Sequence, residues 1–227
     1  MQKGKLIVIE GGDGSGKATQ AQLLLNYLEK NNIPSALLDF PDYTSFYGKM
    51  IASYLRGEYG TLANISPYLV ALLFALDRLN HKSRMEKSLE EGYILVTNRY
   101  IGSNIAHQGS KFVTKTERIN FIRWIEDLEY KTNKLPKEDY VIYLQVPHNI
   151  GMSLTNGKGK RDYLKGKVID IQEADQNYRK KTEHLYDKLS QERSNWHTIK
   201  CMENDKIRTK ENIHLDIIDT LQKIRVI

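Results

Sequence analysis

The chain has 227 residues, 40% hydrophobic and 27% charged, which suits one large packed α/β domain spanning residues 1–227. Its net charge of +6 is modest and comes without a basic arm, so it argues for an enzyme handling anionic small molecules rather than a nucleic-acid binder. No apolar run approaches the roughly 18 residues of a membrane span, and the single cysteine, Cys201, excludes an internal disulfide and points to a reducing cytoplasm.

The first element is a strand, Leu6-Ile7-Val8-Ile9, whose short β-branched run suits burial on both faces and is no secretion signal. After a glycine-rich turn, residues 19–30 carry Leu23, Leu24 and Tyr27 at helical spacing. Residues 35–40 (SALLDF) read as a second strand, stopped by Pro41, and residues 48–56 as a helix. A long amphipathic helix is predicted over 67–91, then strands at 93–97 (YILVT) and 140–146 (YVIYLQV). A helix over 169–191, a fifth strand at 197–201 (HTIKC) and a last helix over 211–223 complete the pattern. Strands alternating with helices give a five-stranded parallel sheet with helices on both faces and ligands at the carboxyl ends of its strands.

At that end of the first strand lies GGDGSGKAT, in which Gly11, Gly16 and Lys17 fit the phosphate-loop pattern and Ala18 replaces the hydroxyl that reaches Mg²⁺. The expected ATP-binding set is Gly11, Gly12, Asp13, Gly14, Ser15, Gly16, Lys17, Ala18 and Thr19. Its backbone N–H groups and the following helix N-terminus attract phosphate oxygens, and Lys17 bridges the β- and γ-phosphates. Losing the hydroxyl at Ala18 weakens a metal contact without abolishing the site, because Mg²⁺ keeps several waters. An anion at Asp13 implies a metal or a sugar hydroxyl close by. Phe74 and Arg78, at i and i+4, share a helix face and could stack on a base and bond its carbonyl. Asn104 and Gln108 have the same spacing, and Arg99 falls at a strand end. A basic, glycine-rich run, NGKGKRDYLKGK at 156–167, stands apart from the rest.

EGGDGSGKATQ, DFPDYTSFYGKMIASYLRGEYG, ALLFALDRLNHK, NRYIGSNIAHQG and LPKEDYVIYLQVP occur in this order. Together they make the chain resemble the thymidylate kinase family of P-loop nucleoside monophosphate kinases, which transfer a phosphoryl group from ATP to dTMP. The C-terminal third matches only in general layout. The resemblance implies the P-loop kinase fold with a mobile lid around 156–168, ATP as co-substrate, Mg²⁺, and a homodimer formed beside the nucleobase helix. Phe74 and Arg78 would hold thymine, and Arg99 the acceptor's monophosphate. Phe40, Pro41, Tyr43, Asn104 and Gln108 would complete the acceptor site. With no cation at Gly14 or Ser15, the lid should supply one, first Arg161 and second Lys160, as an arginine-finger clamp. Catalysis would then rest on Lys17, Arg99, Arg161 and Asp13, and the metal on Asp13 and Glu173.

Three positions depart from the family pattern. Asn98-Arg99-Tyr100 stands where relatives have an acid before the arginine; Asp42 stands after the Phe-Pro pair, where many relatives have an arginine; and Ala18 is the third. Asp42 would repel the acceptor's phosphate unless Lys49 or Arg99 compensates, or unless it turns outward and leaves Tyr43 to line the pocket. The departures keep other readings open: a kinase for dUMP or another pyrimidine nucleotide or nucleoside, a degenerate nucleotide-binding regulatory module, and an ATPase acting on nucleic acid.

Overall fold

The β-branched run that opens the chain becomes the centre of the sheet. In a computed structural model describing residues 3–156, 161–167 and 169–227, β1 (Lys5–Gly11) pairs in parallel with β3 (Ile94–Asn98) and β4 (Tyr140–Gln145). β2 (Ser35–Asp39) lies outside β3 and β5 (Trp196–Lys200) outside β4, giving the order β2-β3-β1-β4-β5, all parallel. Leu6, Ile7, Val8 and Ile9 are all buried, as a strand covered on both faces requires.

Alternate residues of each strand feed two cores. Ile7, Ile9, Val96 and Leu144 pack against Ala21, Leu24 and Leu28 of α1 (Lys17–Lys30) and Ile213 and Ile217 of α9 (Lys210–Lys223). On the other face Leu6, Val8, Leu95 and Tyr143 meet side chains from α3 (Pro67–Asn80), α4 (Lys82–Glu90), α5 (Ile101–Gly109), α6 (Lys115–Glu126) and α8 (Gln176–Glu192). A third cluster joins α2 (Phe46–Leu55) to α3 through Ile51, Tyr54, Leu55 and Val70. α7 (His148–Asn156) follows β4.

Three elements differ from the expectation. The long helix over 67–91 is interrupted at His81, whose ring is drawn onto Asp42 and sits edge-on to Phe40. The helix expected from 169 starts at Gln176, where the Asp175 side chain accepts from Tyr178 N at 2.9 Å. Ahead of it the Asp170 carboxylate takes the N–H groups of Gln172 and Glu173, a local turn that competes with a helix start. After β5 a small hairpin, β6 (Met202–Glu203) with β7 (Lys206–Ile207), turns on Asn204 and Asp205, both at positive φ.

The carboxyl ends of β1, β2 and β3 face one edge, with Asp39 and Asn98 directly opposed in register. The chain there passes through a cis Phe40–Pro41 bond into a loop held by Asp77, which accepts from Asp42 N (3.0 Å) and Ser45 Oγ (2.8 Å). Gly48, in the first turn of α2, lies so close to this loop that a Cβ would overlap the Asp42 carbonyl. Gly48→Ala is therefore expected to destabilise the protein by about 1–3 kcal/mol, the usual cost of overpacking, seen as a lower urea midpoint with unchanged slope.

Candidate active site

Three glycines of the phosphate loop, Gly11, Gly14 and Gly16, adopt positive φ, a conformation that other residues rarely take. Gly14 packs backbone to backbone on Gly151 of α7, and a Cβ on either would strike the other's neighbourhood. Lys17 at the start of α1 bonds the carbonyls of Gly11 (2.8 Å) and Gly12 (2.7 Å). Asp13, Gly14, Gly16, Lys17, Ala18 and Thr19 line a cavity of about 580 Å³, of a size suited to small-molecule ligands.

Two ion pairs organise this cavity, one half-buried and one deeply buried. Arg99, itself at φ 66, places its guanidinium on the Asp13 carboxylate, with Nη1 3.4 Å from Ser103 Oγ and 3.3 Å from His107 Nε2. Burial alone would raise the Asp13 pKa, but Arg99 and other nearby cations overcome it and hold the carboxyl well below its usual range. The anion inside the phosphate loop is thus neutralised by the strand-end arginine. Glu10, fully buried beneath them, accepts from Tyr100 N, Ser103 N, Ser103 Oγ and Tyr186 OH.

The second pair is Arg78 with Glu129, both deeply buried. Phe74, Arg78, Asn104 and Gln108 all line the cavity. Asn104 Nδ2 donates to Ala71 O at 2.9 Å, while its Oδ1 and both amide atoms of the buried Gln108 lack any hydrogen-bond partner. Such unsatisfied groups facing a cavity are the expected signature of a polar ligand edge. Tyr100 packs in the core below and donates to Pro136 O.

Phe40, Pro41 and Tyr43 also line the cavity. The Asp42 carboxylate accepts from Thr44 N and Thr44 Oγ1 and meets His81 Nε2 at 3.1 Å, so its charge is engaged by its own loop. Tyr43 stacks on Tyr163, with rings 4.1 Å apart and 7° from parallel. Arg161 lies over the Tyr163 ring and pairs in bidentate fashion with Glu173. Both Glu173 oxygens, expected to help hold a metal, therefore face the Arg161 guanidinium in this structure. The alternative lid cation, Lys160, lies outside the described residues.

At the strand ends Asn98 Nδ2 donates to Asp39 Oδ1 at 2.7 Å. Asn98 is 8% exposed and its Oδ1 has no partner, while burial pushes the Asp39 carboxyl above its ordinary range. Sequence reading missed Glu10, Asp39, Asp77, His107 and Glu129. Glu10, Asp39, Asp77 and His107 lie within the quoted motifs, whereas nothing local marks Glu129.

A family model described as thymidylate kinase matches residues 9–213. The chain is 30% identical over 233 residues to the thymidylate kinase of Plasmodium falciparum (isolate 3D7), covering 99% of this chain and 93% of that protein. It is 30% identical over 224 residues to the Danio rerio thymidylate kinase, covering 98% and 92%. A solved structure of thymidylate kinase from Candida albicans superposes with a TM-score of 0.76 at 24% identity, over 99% of this chain and 93% of that one, and supports the P-loop kinase fold.

Burial, aided by Arg99 and Lys17, pushes His107 down to about 3, so the folded protein keeps it neutral. Unfolded, it would titrate near its ordinary value, so between those values the unfolded chain binds more protons and stability falls as pH falls. Asp170, raised by burial and by Glu173 to about 7, works in the opposite sense, losing stability as pH rises. The His107 contribution is therefore read as a difference. His107→Gln is expected to remove roughly 2 kcal/mol of acid destabilisation between about pH 8 and pH 5, measured by urea unfolding of both proteins. Parallel pH profiles would mean that His107 carries a proton in the fold.

Proposed function

The chain belongs to the thymidylate kinase family, and from that membership we propose that it transfers the γ-phosphoryl group of ATP to dTMP, yielding ADP and dTDP for dTTP synthesis. The observation that carries this reading is a single cavity lined at one end by the phosphate loop and at the other by Phe74, Arg78, Asn104 and Gln108. Arg99 lines the same cavity, bridged to Asp13.

An oxygen of the acceptor's phosphate attacks the γ-phosphorus, forming one P–O bond as the bond to the β-phosphate oxygen breaks. Positioning and charge neutralisation supply the acceleration. Lys17 holds the β- and γ-phosphates after exchanging its loop carbonyls for phosphate oxygens. Arg99 receives the acceptor's phosphate, and Asp13 keeps its guanidinium aimed. Arg161 clamps the transferring group, with Glu173 and the Tyr43–Tyr163 stack holding it over the cavity. Phe74 stacks on the base.

The residues present suit Mg²⁺, a hard ion that takes a few oxygen ligands and retains waters. Asn98 offers an unpartnered oxygen, and Asp39 and Asp13 offer carboxylates lining the same cavity. When bound, the ion would offset phosphate charge. The lost acid at position 98 is balanced by Asp39 directly opposite in register.

The enzyme is expected to work in the cytoplasm. Among the described residues no helix is long and apolar enough to cross a membrane. It is expected to pair as a homodimer through the outer face of α3, where Leu69 and Leu72 are exposed. Sedimentation should therefore give twice the 26.3 kDa chain mass, and Leu69→Glu should yield monomer; a monomeric parent protein would refute this.

The test of function is ADP release with Mg·ATP across dTMP, dUMP, dCMP, thymidine and no acceptor. Turnover should depend on dTMP, and Lys17→Ala should lower kcat by roughly 10²–10³-fold, as for loss of a transition-state donor. Turnover with thymidine alone, or none with any acceptor, would overturn the assignment.

A further inference from the structure

One buried carboxylate at the base end of the cavity has no part in phosphoryl transfer. Glu129 is 0% exposed and sits in a π-helical turn, Asp127–Thr132, that continues α6. There Asn133 N–H bonds the Leu128 carbonyl five residues back, the wide spacing of a π turn, a form often found at functional sites. The turn delivers the carboxylate to two residues on two other helices, Arg78 of α3 and Asn104 of α5.

We propose that Glu129 is the positioning residue that sets the choice of base, holding Arg78 and Asn104 so that a donor and an acceptor are presented together to a 4-oxo pyrimidine. The inference rests on the reading of this cavity as the acceptor's base pocket. Arg78 meets the carboxylate side-on: Nε lies 3.2 Å from each oxygen and Nη2 bonds Oε1. Nη1 makes no hydrogen bond among the described residues, which leaves that edge of the guanidinium for the cavity Arg78 lines.

Asn104 is held by the Ala71 carbonyl and faces the same Glu129 oxygen. Its Nδ2 donates to Ala71 O at 2.9 Å and lies 3.5 Å from Glu129 Oε1. Reversing the amide would set Oδ1 against a carbonyl and a carboxylate, so the orientation is determined by its neighbours. Oδ1 is consequently turned away, buried and unpartnered.

Arg78 and Asn104 share one anchoring atom and are therefore neighbours. Arginine only donates, and a correctly turned asparagine Oδ1 only accepts. Thymine and uracil present the matching edge, an O4 acceptor beside an N3–H donor. Cytosine presents the reverse, an N4 amino donor beside an N3 acceptor, and would leave buried groups mismatched. The 5-methyl group does not enter this pattern, so Glu129 should separate dTMP and dUMP from dCMP without separating dTMP from dUMP.

Removing one partner of a buried ion pair can also destabilise a fold, so the test needs readouts that stability alone would not move. Steady-state kinetics with dTMP, dUMP and dCMP, and competition by dCMP, are compared for wild type, Glu129→Gln, Arg78→Ala and the double variant, each with a melting curve. Glu129→Gln should raise KM for dTMP and dUMP about tenfold with kcat within about twofold, the scale of a charged hydrogen bond. The dTMP to dCMP preference should fall by the same factor, the dTMP to dUMP ratio should hold, and the double variant should lose no more preference than Arg78→Ala. A Glu129→Gln enzyme that melts lower yet keeps its dTMP to dCMP preference would overturn the proposal. If Arg78→Ala itself leaves that preference unchanged, the base-pocket reading fails first. Should Glu129→Gln not fold, Glu129→Asp, which keeps the charge at shorter reach, is judged by the same ratios.

Discussion

A single buried carboxylate fixes where the two halves of the site meet. Glu10, at the end of the central strand, accepts the backbone N–H groups of Tyr100 and Ser103 at the start of α5. It also accepts the hydroxyls of Ser103 and Tyr186, tying α8 to the same point. An anion at a helix N-terminus is favourable in charge, and four donors offset its burial. Because Arg99 immediately precedes Tyr100, this anchor also determines where its guanidinium emerges relative to Asp13. The pairing of the loop anion with the strand-end arginine thus follows from the hydrogen bonds beneath the site.

The parts legible in the sequence were those with local signatures. Glycine spacing, a β-branched strand before it and a helix after it were enough to locate the phosphate loop. Phe74 and Arg78 shared a face by arithmetic alone. The parts that stayed hidden depend on contacts distant in sequence. Glu129 lies 51 positions from Arg78 and in a widened turn that no periodicity announces. At the break His81 meets Asp42 across the loop, and ahead of the late start of α8 Asp170 bonds the backbone of its own turn. Neither changes hydrophobic spacing, so periodicity extended both helices too far.

The departures in charge also read differently in three dimensions. Asp42 looked like a reversal of sign within the acceptor site, but its carboxylate is satisfied by Thr44 and His81. Asn98 removes an acid from β3 while Asp39 carries one on β2, joined to it by a 2.7 Å hydrogen bond. An acid thus stands at the strand ends of this site, on β2 rather than β3.

The close contact between Gly14 and Gly151 ties the phosphate loop to α7, the helix that leads into the segment carrying Arg161. Neither backbone can shift far without pushing the other, because no side chain lies between them to absorb the motion. Arg179 adds a second link, donating to the Asp13 carbonyl at 2.7 Å. The phosphate loop and α7 therefore behave as one mechanical part, so a push on either backbone is felt by the other.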